Sequence, residues 1–514
     1  MLKQLSGVDA GFLYMETGSS FGHVSSLSVY ERPYDGYDPY EAFRVQLEGR
    51  MASLEPFRRR LVEVPFQLDH PYWINDADFD LEFHLRHIAI PPPGDDGQLA
   101  TQVARIIGRP MDRAHPLWEV YVLEGLANGD FAILQKVHHA TIDGASGAEL
   151  LTILLDSTPD ATPAVEVDDW KPDAVPSPFE LLTRSMVNLA RRPDRVVRMQ
   201  ARALRQIAET TRSKGLRRVL ELSRQTAPRP PRSGRPSEPD RPPTLPSAAA
   251  PPTPFNRSIT AHRRFAFSSV PLDDVKAVKN ALEATLNDVV MAVCAGALRT
   301  YLQSHDALPD APLVAMVPVS IRTGDEEDRW TNRVSGLLAA LPTNVADPVE
   351  RVRVVHETML GAKERFELIP ADVLTDFARF SPPALATRAA RMASRLRISD
   401  RINPPVNLVI SNVPGPRHPL YLAGARLKHY YPVSTVTDGQ GLNITVQSYL
   451  DTLDFGLVSS RELVPDLWDL VELCVQEVAV LTEATRSSAR TPPERSPSGA
   501  SKTQSRRRSS RPSS

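Results

Sequence analysis

Residues 131–144, FAILQKVHHATIDG, constrain this chain more than any other stretch. Phe131 to Val137 is a mostly apolar run with β-branched residues, which predicts one buried strand. The run closes on His138-His139, and Asp143-Gly144 follow shortly after. Ser146 with Glu149 three residues on fits a capping box, and Leu150, Leu151, Ile153, Leu154 and Leu155 carry a helical pattern onward. Two imidazoles and a carboxylate therefore fall in a tight strand-to-helix connection, where rigid elements can hold reactive side chains.

The chemistry such a corner offers is proton abstraction. A neutral imidazole, with an ordinary pKa of about 6.5, can take a proton in mid-transfer near neutral pH. Asp143 can fix a tautomer or hold the loop through an ionic contact, and Gly144 lets the backbone turn. Two histidines could simply end a strand. His-His-x-x-x-Asp-Gly, however, arises by chance in a chain this long on the order of once in a thousand, given average residue usage.

At 514 residues the chain exceeds what one core usually holds, so two domains are expected. Strands and helices mix in both halves without strict alternation, and no phosphate-binding glycine loop is present. The expected parts are a first domain at 1–170, a basic helical connector at 171–225, a disordered proline-rich linker at 226–254, a second domain at 255–485 and a disordered basic tail at 486–514. The connector has twelve basic and three acidic residues between Arg184 and Arg224. Its apolar face (Val197, Ala201, Leu204, Ala208) suits either a helix covering the domain junction or an anionic membrane surface. Net charge is −2, which supplies no global field for nucleic acid, and no specific nucleic-acid partner is expected. Cys294 and Cys474 lie in apolar helical patterns and read as reduced core residues, without metal spacing. Met1 to Gly11 lacks the apolar core of a signal peptide, and no run reaches the length of a membrane span. A cytoplasmic location is expected, with peripheral attachment to the inner membrane face or to lipid droplets left open.

Within the first half the pattern predicts a short helix or turn at Ser6–Tyr14, a strand at His23–Tyr30, helices over Tyr40–Leu54 and Ala100–Gly108, and a Trp118–Leu123 strand joined through Asn128-Gly129-Asp130 to the histidine strand. The second half predicts helices at Leu272–Ala281, from Thr285 to Leu302, over Pro348–Leu360 and from Leu467 to Leu481. It predicts strands at Ala315–Ile321, Gly336–Leu341 and Asn407–Ile410. The alternation in Leu442–Leu450 reads as a half-buried strand. Asn287 and Asp288 fall in a helix's first turn, where Asp288 complements the dipole and Asn287 can satisfy free N–H groups. Trp118, after Pro116-Leu117, reads first as a core anchor.

HHATIDG matches the HHxxxDG motif of CoA-dependent acyltransferases of the chloramphenicol-acetyltransferase type and of peptide-synthetase condensation domains. With Pro116-Leu117-Trp118, Asn287-Asp288, and the segments VPVSIRT, NRVSGLLAALPT, NLVISNVPGP and GLNITVQSYL, the chain resembles the bacterial wax ester synthase/diacylglycerol acyltransferase family over about 1–170 and 255–480. Two departures stand out: Ser-Phe-Gly before His23, where the family commonly has Pro-Met, and an unusually long proline-rich insert. The resemblance implies a mixed α/β (α+β) fold of two chloramphenicol-acetyltransferase-like domains, paired as a pseudo-dimer around an active-site channel. It implies His139 as the general base, His138 as support, and Asp143 as a structural, orienting residue paired with an arginine, for which Arg322 is a candidate. Gly144 would serve the turn, while Asn287, Asp288 and Trp118 would support the site. Oxyanion donors stay open between backbone N–H groups near Gly144 and the side chains of Asn443 or Thr445. No cofactor or metal is implied, because acyl-CoA is a substrate. The acceptor would be diacylglycerol or a long-chain alcohol; 51 Arg against 9 Lys hints at a GC-rich genome, and this actinobacterial style of composition tilts the expectation towards diacylglycerol. Two alternatives remain: another HHxxxDG acyltransferase acting on polyketide alcohols or carrier-bound groups, and a lipid-binding droplet protein without catalysis.

Overall fold

The computed structural model describes residues 2–142, 150–161, 170–190, 250–320, 334–367 and 383–490. The Ser146–Glu149 capping box, the connector beyond 190, the linker before 250 and the tail beyond 490 lie outside the described residues.

Among the described residues, two six-stranded sheets organise the fold. In the first, the strand Phe131–His138 lies between His23–Tyr30 and Trp118–Glu124, antiparallel to both. All eight of its residues are buried. Alternation explains why an unbroken apolar run suits this place. Phe131, Ile133 and Val137 face a core with Phe43, Leu47 and Leu151, whereas Ala132 and Leu134 face the helix Asp96–Ile107. That helix starts four residues before the expected Ala100, because Asp95 and Gln98 form a capping box. The hairpin through Gly129 is present.

The first sheet is not built from the first half alone. Ala425–Val433 pairs antiparallel with His23–Tyr30, and Tyr421–Leu422 adds a short edge. The second sheet runs Val334–Leu341, Leu313–Ser320, Leu408–Val413, Leu442–Tyr449, Thr452–Ser460, Arg263–Pro271. The helices Leu272–Ala281, Leu286–Ser304, Pro348–Glu367 and Leu467–Arg490 enclose one common core with it. Cys294 and Cys474 are free and buried there, as expected.

Two expectations need correction. The strand Leu442–Tyr449 is not half-buried: every residue except Ser448 is buried. Leu442, Ile444 and Val446 do face the helical core, but the polar face is covered by the junction rather than by water. The proline-rich stretch also ends earlier than 254. Ala250 is buried against Val314 and Val406, and its N–H donates to the Pro404 carbonyl at 3.0 Å. Backbone and side-chain pairing fixes 250–256 despite a composition that cannot bury a core of its own.

At the junction the sheets approach backbone to backbone. A Cβ on Gly456 would lie 1.8 Å from the Pro432 carbonyl oxygen, so glycine alone fits. A small sheet of Lys3–Gln4, Tyr72–Asn75 and Arg59–Val62 stands beside the first, with Leu5, Leu13, Leu61, Trp73, Leu117 and Ala140 packed together. No single helix among the described residues is long and apolar enough to cross a membrane.

Candidate active site

The histidine strand ends in a turn pinned from both sides. The His138 N–H donates to the Leu117 carbonyl at 2.9 Å, and the His139 N–H donates to the Gly22 carbonyl at 2.8 Å. The Thr141 N–H closes the turn onto the His138 carbonyl at 2.8 Å. Trp118 acts one step back, as a packing anchor. Its indole N–H donates to the Phe57 carbonyl at 2.7 Å, and its ring stacks on Phe57 and His84. Burial pulls the His84 imidazole down to about 4, so it is neutral when its Nδ1 meets the Trp118 carbonyl.

The two histidines of the corner have different jobs. His138 is buried, and its Nδ1 accepts the Ala140 N–H at 3.0 Å. That contact puts the ring proton on Nε2, which donates to Glu16 Oε1 at 3.2 Å. Glu16 also accepts the Gly22 N–H at 2.9 Å and the Arg113 guanidinium at 2.7 Å. Burial alone would raise the Glu16 pKa, but these three partners hold the carboxyl well below the ordinary range. Arg113 is itself fixed by the Leu13 carbonyl and by Glu63. His139 is only half-buried, and its ring lies flat on Phe12 with centroids 4.0 Å apart. Phe12 belongs to the helix Gly7–Tyr14, which Ser6 caps through the Asp9 N–H. Of the two imidazoles, His139 alone is only half-buried. A third histidine, His23, pairs opposite His138; burial holds it neutral, and its Nε2 meets the Ile107 carbonyl at 2.9 Å.

Glu16 and Gly22 were not singled out from the sequence. Glu16 sits in METGSS, where nothing in spacing marks it. Gly22 carries a weak signal, as glycine directly before a strand. Its necessity is steric: a Cβ there would lie 2.6 Å from His138 Nε2.

Asp143, Gly144 and Arg322 lie outside the described residues. Asp288 is a helix-cap residue. Its carboxylate accepts the Thr285 N–H at 2.9 Å and meets His356 Nδ1 at 2.7 Å, while its own N–H donates to Thr285 Oγ1 at 3.2 Å. Asn287 is half-buried on the same turn. The Asp288 hydrogen bonds run to Thr285 and His356 and not to the histidine corner. On the polar face of the buried strand, Thr445 Oγ1 donates to Asn443 Oδ1 at 2.8 Å and receives Ser434 Oγ at 2.8 Å. The next residue, Thr435, donates to the Phe21 carbonyl at 2.8 Å. The polar strand face is thereby tied to the Phe21-Gly22 segment that holds His139. The Thr445 proton is already engaged, whereas Asn443 uses only its Oδ1 in this contact.

Arg263 reinforces the same junction. It donates to the Ser19 carbonyl, and its guanidinium lies 5.5 Å from the Phe21 ring centroid. Burial lowers its pKa to about 10, which still leaves it charged at neutral pH. Two cavities flank the corner. One of about 610 Å³ opens beside Glu16 and Arg113, with the helix Pro383–Arg395 as its far wall. A smaller one of about 160 Å³ touches Ala140 and Thr141. Among the described residues no group of three or more histidine, cysteine, aspartate or glutamate side chains could hold a metal ion.

The chain is similar to known proteins. Residues 5–290 match the wax ester synthase/diacylglycerol acyltransferase catalytic domain, and residues 330–482 match the C-terminal domain of that family. A Mycobacterium tuberculosis protein provisionally named a diacylglycerol O-acyltransferase is 35% identical over 92% of this chain and 88% of its own length. The wax ester synthase/diacylglycerol acyltransferase from Marinobacter aquaeolei VT8 superposes with a TM-score of 0.65 at 30% identity, covering 94% of this chain and all of its own. The first condensation domain of the calcium-dependent antibiotic synthetase has the same fold, with a TM-score of 0.51 at 17% identity, covering 96% of this chain and 98% of its own.

Proposed function

This chain belongs to the wax ester synthase/diacylglycerol acyltransferase family and is an acyltransferase, and from that premise we propose that it moves a long-chain acyl group from acyl-CoA to diacylglycerol, and also to long-chain alcohols. The observation that carries the mechanism is the division of labour at 138–139. His138 is locked to Glu16 and Ala140, while the half-buried His139 ring lies held on Phe12.

His139 takes the acceptor's hydroxyl proton as that oxygen attacks the thioester carbon. An alcohol is about as weak an acid as water, whose pKa is about 15.7, so free alkoxide is not available and the proton must leave during attack. The tetrahedral oxyanion is met by pre-placed donors, with the Asn443 amide and the backbone near Gly144 as candidates. The intermediate collapses, the C–S bond breaks, and His139 returns its proton to the CoA thiolate. No covalent acyl-enzyme is needed, so both substrates bind together, and no cofactor takes part. A membrane face or lipid-droplet surface is the natural working place for substrates of this kind.

The test is thiol release from palmitoyl-CoA with dioleoylglycerol, hexadecanol or no acceptor. Release with both acceptors, faster with dioleoylglycerol, is expected. Purified, folded protein that binds lipid yet releases no thiol with any acceptor would refute the reading.

A further inference from the structure

We infer that the cleft beside Glu16 is the seat of the donor's phosphates, held by Arg391 and Arg395. This rests on the acyl-CoA reading above and adds a binding site to it. The cleft encloses about 610 Å³, within the range of small-molecule sites, and its walls include Glu16, Ser19, Arg113, Arg391, Ser394 and Arg395. Arg391 and Arg395 are four residues apart on the helix Pro383–Arg395, so both project from one face into one cavity. Both are exposed, and neither has an acidic partner among the described residues, whereas Arg397 nearby pairs with Asp400 at 2.8 Å. Like charges at this spacing repel and cost the helix stability. The helix dipole favours cations near the last turn but does not require two of them to face a hollow. A bound anion relieves the repulsion, and planar guanidinium forks match phosphate oxygens better than any other side chain.

The opposite wall decides which anion. Glu16 would repel one, but its charge is answered by Arg113, the Gly22 N–H and His138. The carboxylate that borders the cleft is therefore the same one that orients His138, and His139 is the next residue. A ligand with phosphates between Arg391 and Arg395 and an extended thiol arm directed past Glu16 reaches the histidine corner from this side. Coenzyme A has this shape.

Calorimetric titration of the full chain with adenosine 3′,5′-bisphosphate and with CoA tests this without turnover. The double variant Arg391→Gln/Arg395→Gln should bind both at least tenfold more weakly, with a shallower dependence on salt, and its KM for palmitoyl-CoA should rise while kcat changes little. Affinities within twofold of wild type would overturn the assignment. A second arm uses vesicles containing phosphatidylglycerol: if the double variant loses vesicle binding but keeps its CoA affinity, the arginines serve a lipid headgroup and the proposal fails. The two readings fail separately. Wild-type protein that binds the bisphosphate but never turns over removes acyl transfer and leaves the cleft as a phosphate site. A variant with normal CoA affinity and normal KM removes the cleft and leaves acyl transfer.

Discussion

His138 and His139 are adjacent, yet removing each should have opposite effects. His138→Gln takes the imidazole donor from the half-buried Glu16 and the acceptor from the Ala140 N–H. Such losses cost about 1–3 kcal/mol each, so the melting temperature should fall by several degrees. His139→Gln removes a half-buried ring and should leave the melting temperature within about two degrees. Circular dichroism melts of both variants decide this. Glu16 adds a pH signature. Its carboxyl is held below its unfolded value, so its stabilisation is complete above the unfolded pKa of about 4.3 and disappears as pH falls towards the native value. The stability gap between wild type and Glu16→Gln should therefore be constant from pH 7 to 5 and narrow below about 4; a gap that widens on acidification would contradict the assignment. Gly22→Ala places a methyl group against His138 Nε2 and should lower stability and turnover together, by about 1–3 kcal/mol in stability.

At the scale of elements, the helix Leu286–Ser304 separates capping from chemistry. Thr285→Ala removes the hydroxyl that accepts the Asp288 N–H, keeps the backbone N–H that donates to the Asp288 carboxylate, and should cost about 1 kcal/mol, with turnover per folded molecule unchanged. A many-fold fall in turnover at unchanged stability would assign this turn a role in the reaction. The histidine strand, the paired helices from Leu272 to Ser304 and the last helix were legible because their apolar periods and caps are local. Strands such as Arg263–Pro271 and Ala425–Val433 were not. The first opens on charged Arg263-Arg264. The second carries Arg426, Lys428 and His429. Each gains its place from a distant partner. The alternation over Leu442–Leu450 is a local signal of a strand, but what covers Asn443, Thr445 and Gln447 is set by tertiary packing. Glu16 was invisible for the same reason, since its donors come from residues 22, 113 and 138.

Across the whole molecule the two halves are interlocked rather than merely tethered. The strand Ala425–Val433 completes the first sheet, Lys428 pairs with Asp130 at 2.7 Å, and Thr435 and Arg263 grip the segment that positions His139. Scanning calorimetry should show one cooperative transition for both halves, and two well-separated transitions would contradict this reading. Gly456→Ala should destabilise the whole by several kcal/mol, because the Pro432 backbone cannot yield without moving a strand of the first sheet. The catalytic proposal inherits this dependence: its proposed base, His139, comes from one half and its side-chain candidate for an oxyanion donor, Asn443, from the other. It is tested most directly by the initial rate of CoA thiol release from palmitoyl-CoA and dioleoylglycerol, measured for wild type and His139→Gln at equal concentrations of folded protein. The account predicts a loss of at least about a hundredfold in kcat with the melting temperature preserved; a folded variant within tenfold of wild type would contradict it.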